Sequence, residues 1–311
     1  MNLEWRLRAA LWILRLTGGG RRMHAMTPGE ARAALRAQTV GARGRRLHGR
    51  LPEMAEIQNL SAPGAEATTP IRLYRPKETS GRALVFYHGG GFVAGGLDEA
   101  EMVCRRIASE SGRIVCAAGY RLAPEHRFPT AVEDARVAFE WVADQHAALG
   151  IDGSRIAIGG ESSGGQVAAA VAQAVRDAGR TSIDRQVFIY AGFDAVGTYP
   201  SRASAARPPI LDARDVEWSL RHYIVAPERR EDPRASPIRG ELRGLPPALV
   251  MVAELDPLRD EGMAYAEALR AAGCEVELRS YARQPHGFLL LGRLSGQSAR
   301  AFEDIGRFLR M

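Results

Sequence analysis

Short apolar runs alternate along this chain with longer segments that repeat apolar residues at helical spacing. Two segments near the start of this pattern, at 56–60 and 71–74, are joined through Ser-Ala-Pro-Gly and Thr-Thr-Pro, which predicts an antiparallel hairpin at a sheet edge. Beyond residue 80, single strands alternate with helices, a pattern that predicts a mostly parallel sheet covered on both faces. These strands are predicted at 83–88, 113–118, 155–158, 186–190, 248–253 and 276–281.

The most informative local pattern is a Gly-x-Ser-x-Gly motif centred on Ser162. It follows the predicted strand 155–158 and leads into an alanine-rich segment that predicts a helix. Strand, motif and helix in this order are typical of the turn that presents a nucleophilic serine. Gly160 and Gly164 would let the backbone turn sharply and leave room around a strained serine. We therefore expect the Ser162 hydroxyl to be a nucleophile.

A second signal follows the strand 83–88, where the chain continues as His88-Gly89-Gly90-Gly91. Consecutive glycines let backbone N–H groups converge on one point, as the stabilisation of an oxyanion requires. A phosphate-binding loop is the alternative, but it would need a Gly-x-x-x-x-Gly-Lys motif, and the only lysine of the chain is Lys77. His88 itself ends a strand, and we expect it to anchor the loop rather than to act as a base.

A nucleophilic serine needs a base and an acid, which in this arrangement follow it in the order acid, then histidine. Asp256 and His286 follow predicted strands, and their loops would meet at the carboxyl edge of the sheet. Glu254 and Asp260 lie close to Asp256, so either could be the acid, although Asp260 is expected to begin a helix that ends at Ala272. The remaining histidines fit surface or packing positions better: His24, His48, His126, His146 and His222.

These blocks together resemble the hormone-sensitive-lipase-like branch of the α/β-hydrolases, a group of carboxylic-ester hydrolases. The resemblance covers roughly residues 80 to 310. Its matching blocks are His88 to Gly91, Tyr120 to His126 with Phe128-Pro129, Gly160 to Gly165, Asp256 to Glu261, and Pro285 to Phe288.

The resemblance implies an α/β-hydrolase fold, with a mostly parallel eight-stranded sheet, helices on both faces and a helical cap. It implies Ser162 as nucleophile, His286 as base and Asp256 as its partner. The oxyanion hole would consist of the N–H groups of Gly90, Gly91 and Ser163. No cofactor would be required.

The chain departs from the usual motifs of this branch in three places. Glu161 and Ser163 stand where aspartate and alanine are usual, and Ala191 stands where proline commonly follows the strand 186–190. The longer Glu161 side chain is expected to have a different partner. The Ser163 hydroxyl could add a hydrogen bond or crowd the acyl group. These differences affect substrate preference rather than reaction type.

Composition fits a soluble enzyme of one catalytic domain. A chain of 311 residues with 46% hydrophobic content can bury a substantial core. Cys104, Cys116 and Cys274 show no pairing pattern, so we expect reduced, buried thiols and a cytoplasmic location. The sequence contains no metal-ligand spacing and no apolar run of membrane-spanning length, so no metal site is expected.

The net charge of +6 is concentrated at the N-terminus, where residues 1–50 hold eleven arginines against two glutamates. Aromatic residues do not alternate with these arginines, and we expect no nucleic-acid partner. Residues 3–16 form an amphipathic helix candidate, which the family resemblance favours as part of a cap over the acyl pocket; membrane-surface contact is the less favoured interpretation. The expected organisation is N-terminal cap helices at 1–50, a catalytic domain at 51–311 and a second cap segment at 194–236.

We therefore expect a serine carboxylesterase that acts on small-molecule esters of short to medium chain length through an acyl-enzyme. An amidase, lactonase or deacetylase with the same fold is the nearest alternative, because the triad chemistry is shared and the pocket decides. A non-catalytic ligand-binding protein on the same scaffold is a further alternative that the complete triad disfavours. A homodimer is also considered.

Overall fold

One continuous sheet forms the centre of the molecule. The computed structural model describes residues 21–179, 182–203 and 210–311. In these ranges the sheet has eight strands. They are β1 (Met54–Pro63), β2 (Thr68–Pro76), β3 (Ala83–Tyr87), β4 (Ile114–Ala118), β5 (Ile156–Glu161), β6 (Gln186–Ile189), β7 (Ala248–Leu255) and β8 (Val276–Pro285).

The strand order across the sheet is β1-β2-β4-β3-β5-β6-β7-β8. Strand β2 is antiparallel to both of its neighbours, β1 and β4, and all remaining pairs are parallel. The predicted edge hairpin and the mostly parallel, eight-stranded sheet are therefore confirmed. Because parallel strands need crossover connections, helices must cover both faces of the sheet.

The described α-helices are α1 (Pro28–Thr39), α2 (Ala42–His48), α3 (Leu97–Ser111), α4 (Thr130–Asp144), α5 (Ser163–Ala178), α6 (Pro200–Ala203), α7 (Ala213–Tyr223), α8 (Arg259–Ala271) and α9 (Ser298–Arg310). Short 3₁₀ turns occur at Met23–Ala25, Pro227–Glu231, Pro237–Arg239 and Phe288–Leu294. The helix expected to begin at Asp260 begins one residue earlier, at Arg259. Helix ends commonly differ by a residue or two, so this difference is small.

Two hydrophobic cores lie on opposite faces of the sheet. Strand β3 shows the division, because Val85 and Tyr87 point into one core and Leu84 and Phe86 into the other. Helices α4, α5 and α8 contribute side chains to the first core, and α3 and α9 to the second. This is the period-two alternation of a strand buried on both faces.

The two segments expected to form a cap contact each other through hydrogen bonds. The backbone N–H and the Nδ1 atom of His24 lie 2.9 and 2.7 Å from the Asp215 carboxylate of α7. The Arg22 guanidinium donates to the carbonyl of Ile210 at 2.9 Å. Asp212 caps the N-terminus of α7 and forms a capping box with Asp215. The helix expected at 3–16 lies outside the described residues, and the boundaries at 1–50 and 194–236 stay predictions.

The carboxyl edge of the sheet collects the residues singled out from the sequence. Each of them is the first residue after its strand: His88 after β3, Ser162 after β5, Asp256 after β7 and His286 after β8. Parallel strands end on the same edge, so residues distant in sequence become neighbours in space. Tyr190 holds the corresponding position after β6.

Candidate active site

The turn from β5 into α5 holds Ser162 in a strained conformation. Ser162 has φ 52° and ψ −124°, a backbone region that residues with side chains rarely adopt. A Cβ atom at Gly160 would lie 2.4 Å from the backbone of Gly164, and one at Gly164 would lie 2.2 Å from the carbonyl oxygen of Tyr87. Only glycine therefore allows the turn to pack this closely against the end of β3.

The structure brings Ser162, His286 and Asp256 together in one hydrogen-bonded chain. The His286 Nε2 atom lies 2.9 Å from the Ser162 hydroxyl, and its Nδ1 atom lies 2.7 Å from Asp256 Oδ2. The other Asp256 oxygen accepts the backbone N–H of Leu258 at 2.9 Å. Both Asp256 and His286 are buried. With the proton on Nδ1, Nε2 is free to accept the serine proton.

The two alternative acids have other partners. Asp260 accepts the backbone N–H of Ser201 at 2.7 Å and pairs with Arg259. Glu254 accepts the backbone N–H of Arg283 at 2.6 Å. Neither carboxylate has a contact with His286 among the described hydrogen bonds and ion pairs, so Asp256 is the acid that the geometry favours.

The glycine loop after β3 lies directly beside Ser162. Gly90 and Gly91 have φ values of 125° and 64°, which glycine adopts without strain. A Cβ atom at Gly89 would lie 3.2 Å from the Ser162 Cβ atom, which shows how closely the loop approaches the serine. Within the described residues, no hydrogen bond uses the backbone N–H of Gly90, Gly91 or Ser163. These three amides, one at the start of helix α5, are thus free to bind a ligand oxygen.

His88 holds this loop by its side chain. It is buried, its Nδ1 atom lies 2.8 Å from the carbonyl oxygen of Gly89, and its ring stacks on Tyr120 with centroids 4.2 Å apart. The Tyr120 hydroxyl in turn donates to the carbonyl oxygen of His88 at 2.7 Å. Burial lowers the pKa of His88 to about 4, partly offset by the hydrogen bond to Gly89. None of the described hydrogen bonds of His88 reaches a serine hydroxyl, so the residue is better explained as an anchor of the loop than as a base.

The partner of Glu161 is a tyrosine that sequence reasoning missed. The Tyr190 hydroxyl donates to Glu161 Oε2 at 2.7 Å, and both side chains are buried. Burial raises the pKa of the Glu161 carboxyl, while hydrogen bonds from Tyr190 and the Gly89 amide and the nearby His286 oppose this rise. The Ser163 hydroxyl is buried as well.

A cavity of about 620 Å³ opens beside Ser162 and His286. One part of its wall comes from α1, α2 and the 3₁₀ turn after His286, and another from α7, the residues just before it and the residue that precedes α8. The apolar residues of the first part are Leu35, Leu47, Leu290, Leu291 and Leu294, and those of the second are Leu211, Val216, Leu220 and Leu258. The cavity therefore offers a mainly apolar binding site with a few polar groups beside the serine.

In the part of the chain that the structure describes, one group of potential metal ligands lies where the N-terminal segment meets α7. His24, Asp212 and Asp215 place one ligand atom each within 4.8 Å of one another. Asp215 already accepts two bonds from His24, and Asp212 accepts two backbone N–H groups of α7 and pairs with Arg214. These contacts account for the closeness of the three side chains, because they join the N-terminal segment to α7.

The sequence model of a protein family, described as having the α/β-hydrolase fold, matches residues 84–290 of this chain. The chain belongs to this family. This α/β-hydrolase is 38% identical over 279 residues to an ethyl acetate hydrolase of Pseudomonas putida, covering 88% of this chain and 86% of that protein. It is 40% identical over 293 residues to the carboxylic ester hydrolase LipN of Mycobacterium tuberculosis, covering 90% of this chain and 75% of that protein.

Solved structures agree with these relatives. An esterase of the hyperthermophilic archaeon Pyrobaculum calidifontis superposes on this α/β-hydrolase with a TM-score of 0.92 at 36% identity, covering 100% of this chain and 98% of that one. A thermostable esterase of Pseudomonas putida superposes with a TM-score of 0.91 at 32% identity, covering 99% and 97%. The expected fold and the hormone-sensitive-lipase-like branch are confirmed.

We expect His88 to stay neutral until the pH falls to about 4, since its buried ring cannot be charged without losing solvation. An unfolded histidine titrates near pH 6.5. The unfolded chain therefore binds more protons between these values, and this contribution to stability, complete above about pH 6.5, is lost as the pH falls towards 4. Spectra of ¹⁵N-labelled histidine should place the His88 midpoint far below neutrality. A midpoint near 6.5 would contradict the assignment of His88 as a buried, neutral anchor. His88→Asn should remove this part of the pH dependence of the free energy of unfolding.

Proposed function

We propose that this protein is a serine carboxylesterase in which Ser162, His286 and Asp256 form the catalytic triad. The observation that carries the proposal is the position of His286, whose two ring nitrogens lie 2.9 Å from the Ser162 hydroxyl and 2.7 Å from the Asp256 carboxylate. Such a chain makes a serine hydroxyl nucleophilic, because the histidine can take its proton while the acid stabilises the resulting imidazolium.

In the first half-reaction, the Ser162 oxygen attacks the ester carbonyl carbon while its proton moves to His286 Nε2. The carbonyl oxygen becomes an oxyanion, for which we propose the N–H groups of Gly90, Gly91 and Ser163 as donors. The C–O bond to the alcohol then breaks, and the proton on His286 passes to the departing alkoxide. The acyl group remains bonded to Ser162.

In the second half-reaction, a water molecule attacks the acyl carbon and gives a proton to His286. The tetrahedral oxyanion returns to the same donors. When the bond to Ser162 breaks, His286 returns the proton to the serine oxygen and the carboxylic acid leaves. Atoms and charges balance with water as the only co-reactant, so the cycle requires neither a metal nor a cofactor.

The ester as substrate class is supported by the names of the relatives, among them an ethyl acetate hydrolase and a carboxylic ester hydrolase. The apolar walls of the 620 Å³ cavity favour short to medium acyl chains on a small molecule. An amidase, lactonase or deacetylase would use the same triad and stays the alternative. A non-catalytic binding protein is disfavoured, since it would not need the aligned histidine.

The location and the macromolecular contacts of the enzyme are separate predictions. No helix in the described ranges is long and apolar enough to cross a bilayer. The cytoplasmic location, the homodimer, the absence of a nucleic-acid partner and the cap role favoured for residues 3–16 over membrane-surface contact stay predictions.

The purified protein should hydrolyse p-nitrophenyl esters of short to medium acyl chains, and EDTA should not lower the rate. The physical reason is that every proton transfer is assigned to Ser162, His286 or water. Steady-state turnover across the acyl series, beside an amide and a lactone, is the measurement. A folded sample without turnover on any ester of the series would contradict the proposed function.

Asp256→Asn should keep the fold but lower kcat/KM by roughly 10³- to 10⁴-fold, because an amide cannot stabilise the imidazolium and favours the wrong tautomer. Asp260→Asn is the matched control, four residues away. Its acceptor oxygen can still bind the backbone N–H of Ser201, so its effect should be much smaller. The reverse order of the two effects, measured with one ester, would show that the acid is assigned wrongly.

A further inference from the structure

Tyr190 has a strained backbone at the carboxyl edge of the sheet. Its φ is 38°, and the described residues contain only three other non-glycine residues with positive φ: Phe92, Ser162 and Arg283. Phe92, Ser162 and Tyr190 all line the cavity. Backbone strain of this kind persists where the surrounding structure enforces it, and it concentrates at functional sites. The strain at Ser162 belongs to the turn that presents the nucleophile, whereas Tyr190 takes no part in the reaction steps described above.

The ring of Tyr190 packs against the imidazole of His286. The two ring centroids lie 5.0 Å apart with an angle of 62° between the planes, and Phe288 packs on the Tyr190 ring at 5.7 Å. The hydrogen bonds of His286 to Ser162 and Asp256 both pass through its ring nitrogens. These two bonds alone do not fix the tilt of the ring about the line that joins the two nitrogens. A side chain packed against the ring limits this tilt.

The Tyr190 ring is itself held at its far end. Its hydroxyl donates to Glu161 Oε2 at 2.7 Å, and Glu161 directly precedes Ser162 in the turn. Glu161 is buried, and it packs against the glycine loop, where a Cβ atom at Gly89 would lie 3.3 Å from Glu161 Cγ. The carboxylate therefore links three parts of the site: the serine turn, the glycine loop and, through Tyr190, the histidine.

We propose that Tyr190, held in place by the Glu161 carboxylate, is a positioning residue that fixes the tilt of the His286 imidazole between Ser162 and the leaving group. During the reaction His286 Nε2 takes a proton from one oxygen and gives it to another, so small errors in ring orientation slow both transfers. This inference rests on the proposed function, because it assigns the proton transfers to His286.

Two variants remove the tether from opposite ends. Tyr190→Phe keeps the ring but loses the hydroxyl, and Glu161→Leu keeps the approximate size but loses the acceptor. Each should lower kcat roughly ten- to a hundredfold, with a much smaller change in KM, because ring orientation rather than substrate binding is disturbed. Glu161→Gln, whose amide can still bond to the Tyr190 hydroxyl, should retain most of the wild-type kcat. A large loss in this variant would mean that the charge of Glu161, and not its tether, is what matters.

Tyr281→Phe is the matched control. Tyr281 is also a buried tyrosine that packs on Phe288, with ring centroids 5.0 Å apart, and its hydroxyl donates to the Asp304 carboxylate at 2.9 Å. Tyr281 has no described contact with His286, so the loss of its hydroxyl should leave kcat unchanged. Equal losses in Tyr190→Phe and Tyr281→Phe would indicate general loosening of the core and overturn the proposal.

The double variant Glu161→Leu with Tyr190→Phe provides an internal check. Because both changes break the same tether, the double variant should have the same kcat, within experimental error, as the less active of the two single variants. Multiplied losses would show two independent effects and overturn the proposal. If one single variant fails to fold, the other still tests the tether.

A readout that does not need turnover separates this inference from the proposed function. The His286 Nδ1 proton, bonded to Asp256, should give a low-field ¹H resonance in the wild-type protein. Tyr190→Phe and Glu161→Leu should broaden or shift it, and Tyr281→Phe should not. Unchanged resonance and unchanged kcat in both tether variants overturn the inference, as does an effect confined to KM. A perturbed resonance in a protein that hydrolyses no ester would leave the positioning intact and refute the esterase.

Discussion

The absence of a Cβ atom at Gly160 and Gly164 is the constraint on which the active site depends. The turn between β5 and α5 packs so closely on the end of β3 that a Cβ atom at Gly164 would lie 2.2 Å from the Tyr87 carbonyl oxygen. This approach places the serine turn and the glycine loop side by side. It also forces Ser162 into a positive φ of 52°. A larger residue at either glycine would separate the nucleophile from the amides proposed to stabilise its oxyanion.

The parallel sheet explains how five distant residues meet at this point. Strands β3, β5, β6, β7 and β8 end on one edge, and the first residue after each is His88, Ser162, Tyr190, Asp256 or His286. Ser162 and His286 are 124 residues apart in the sequence, but the sheet brings the Ser162 hydroxyl within 2.9 Å of His286 Nε2. Each side chain leaves a rigid strand rather than a long loop, and such placement holds catalytic groups more precisely. The cavity then forms where the N-terminal helices and α7 cover this edge.

Much of this arrangement could be predicted from the sequence, because strand patterns and glycine motifs depend on local backbone requirements. The strands, the serine turn and the glycine loop belong to this group. The choice among Glu254, Asp256 and Asp260 could not be made from order alone, since it depends on which carboxylate faces His286. Tyr190 was missed because its strained backbone and its bond to Glu161 arise from packing between strands and leave no motif. The longer Glu161 side chain signalled a different partner without identifying it.

Labelling with a fluorophosphonate tests the central claim most directly, because the reagent reacts far faster with a serine activated by a base than with an ordinary hydroxyl. The account predicts one adduct per chain, located on Ser162 by mass spectrometry of the digested protein. It also predicts that His286→Ala slows labelling by orders of magnitude while the protein stays folded. An adduct on another residue, or a labelling rate that does not depend on His286, would contradict the account.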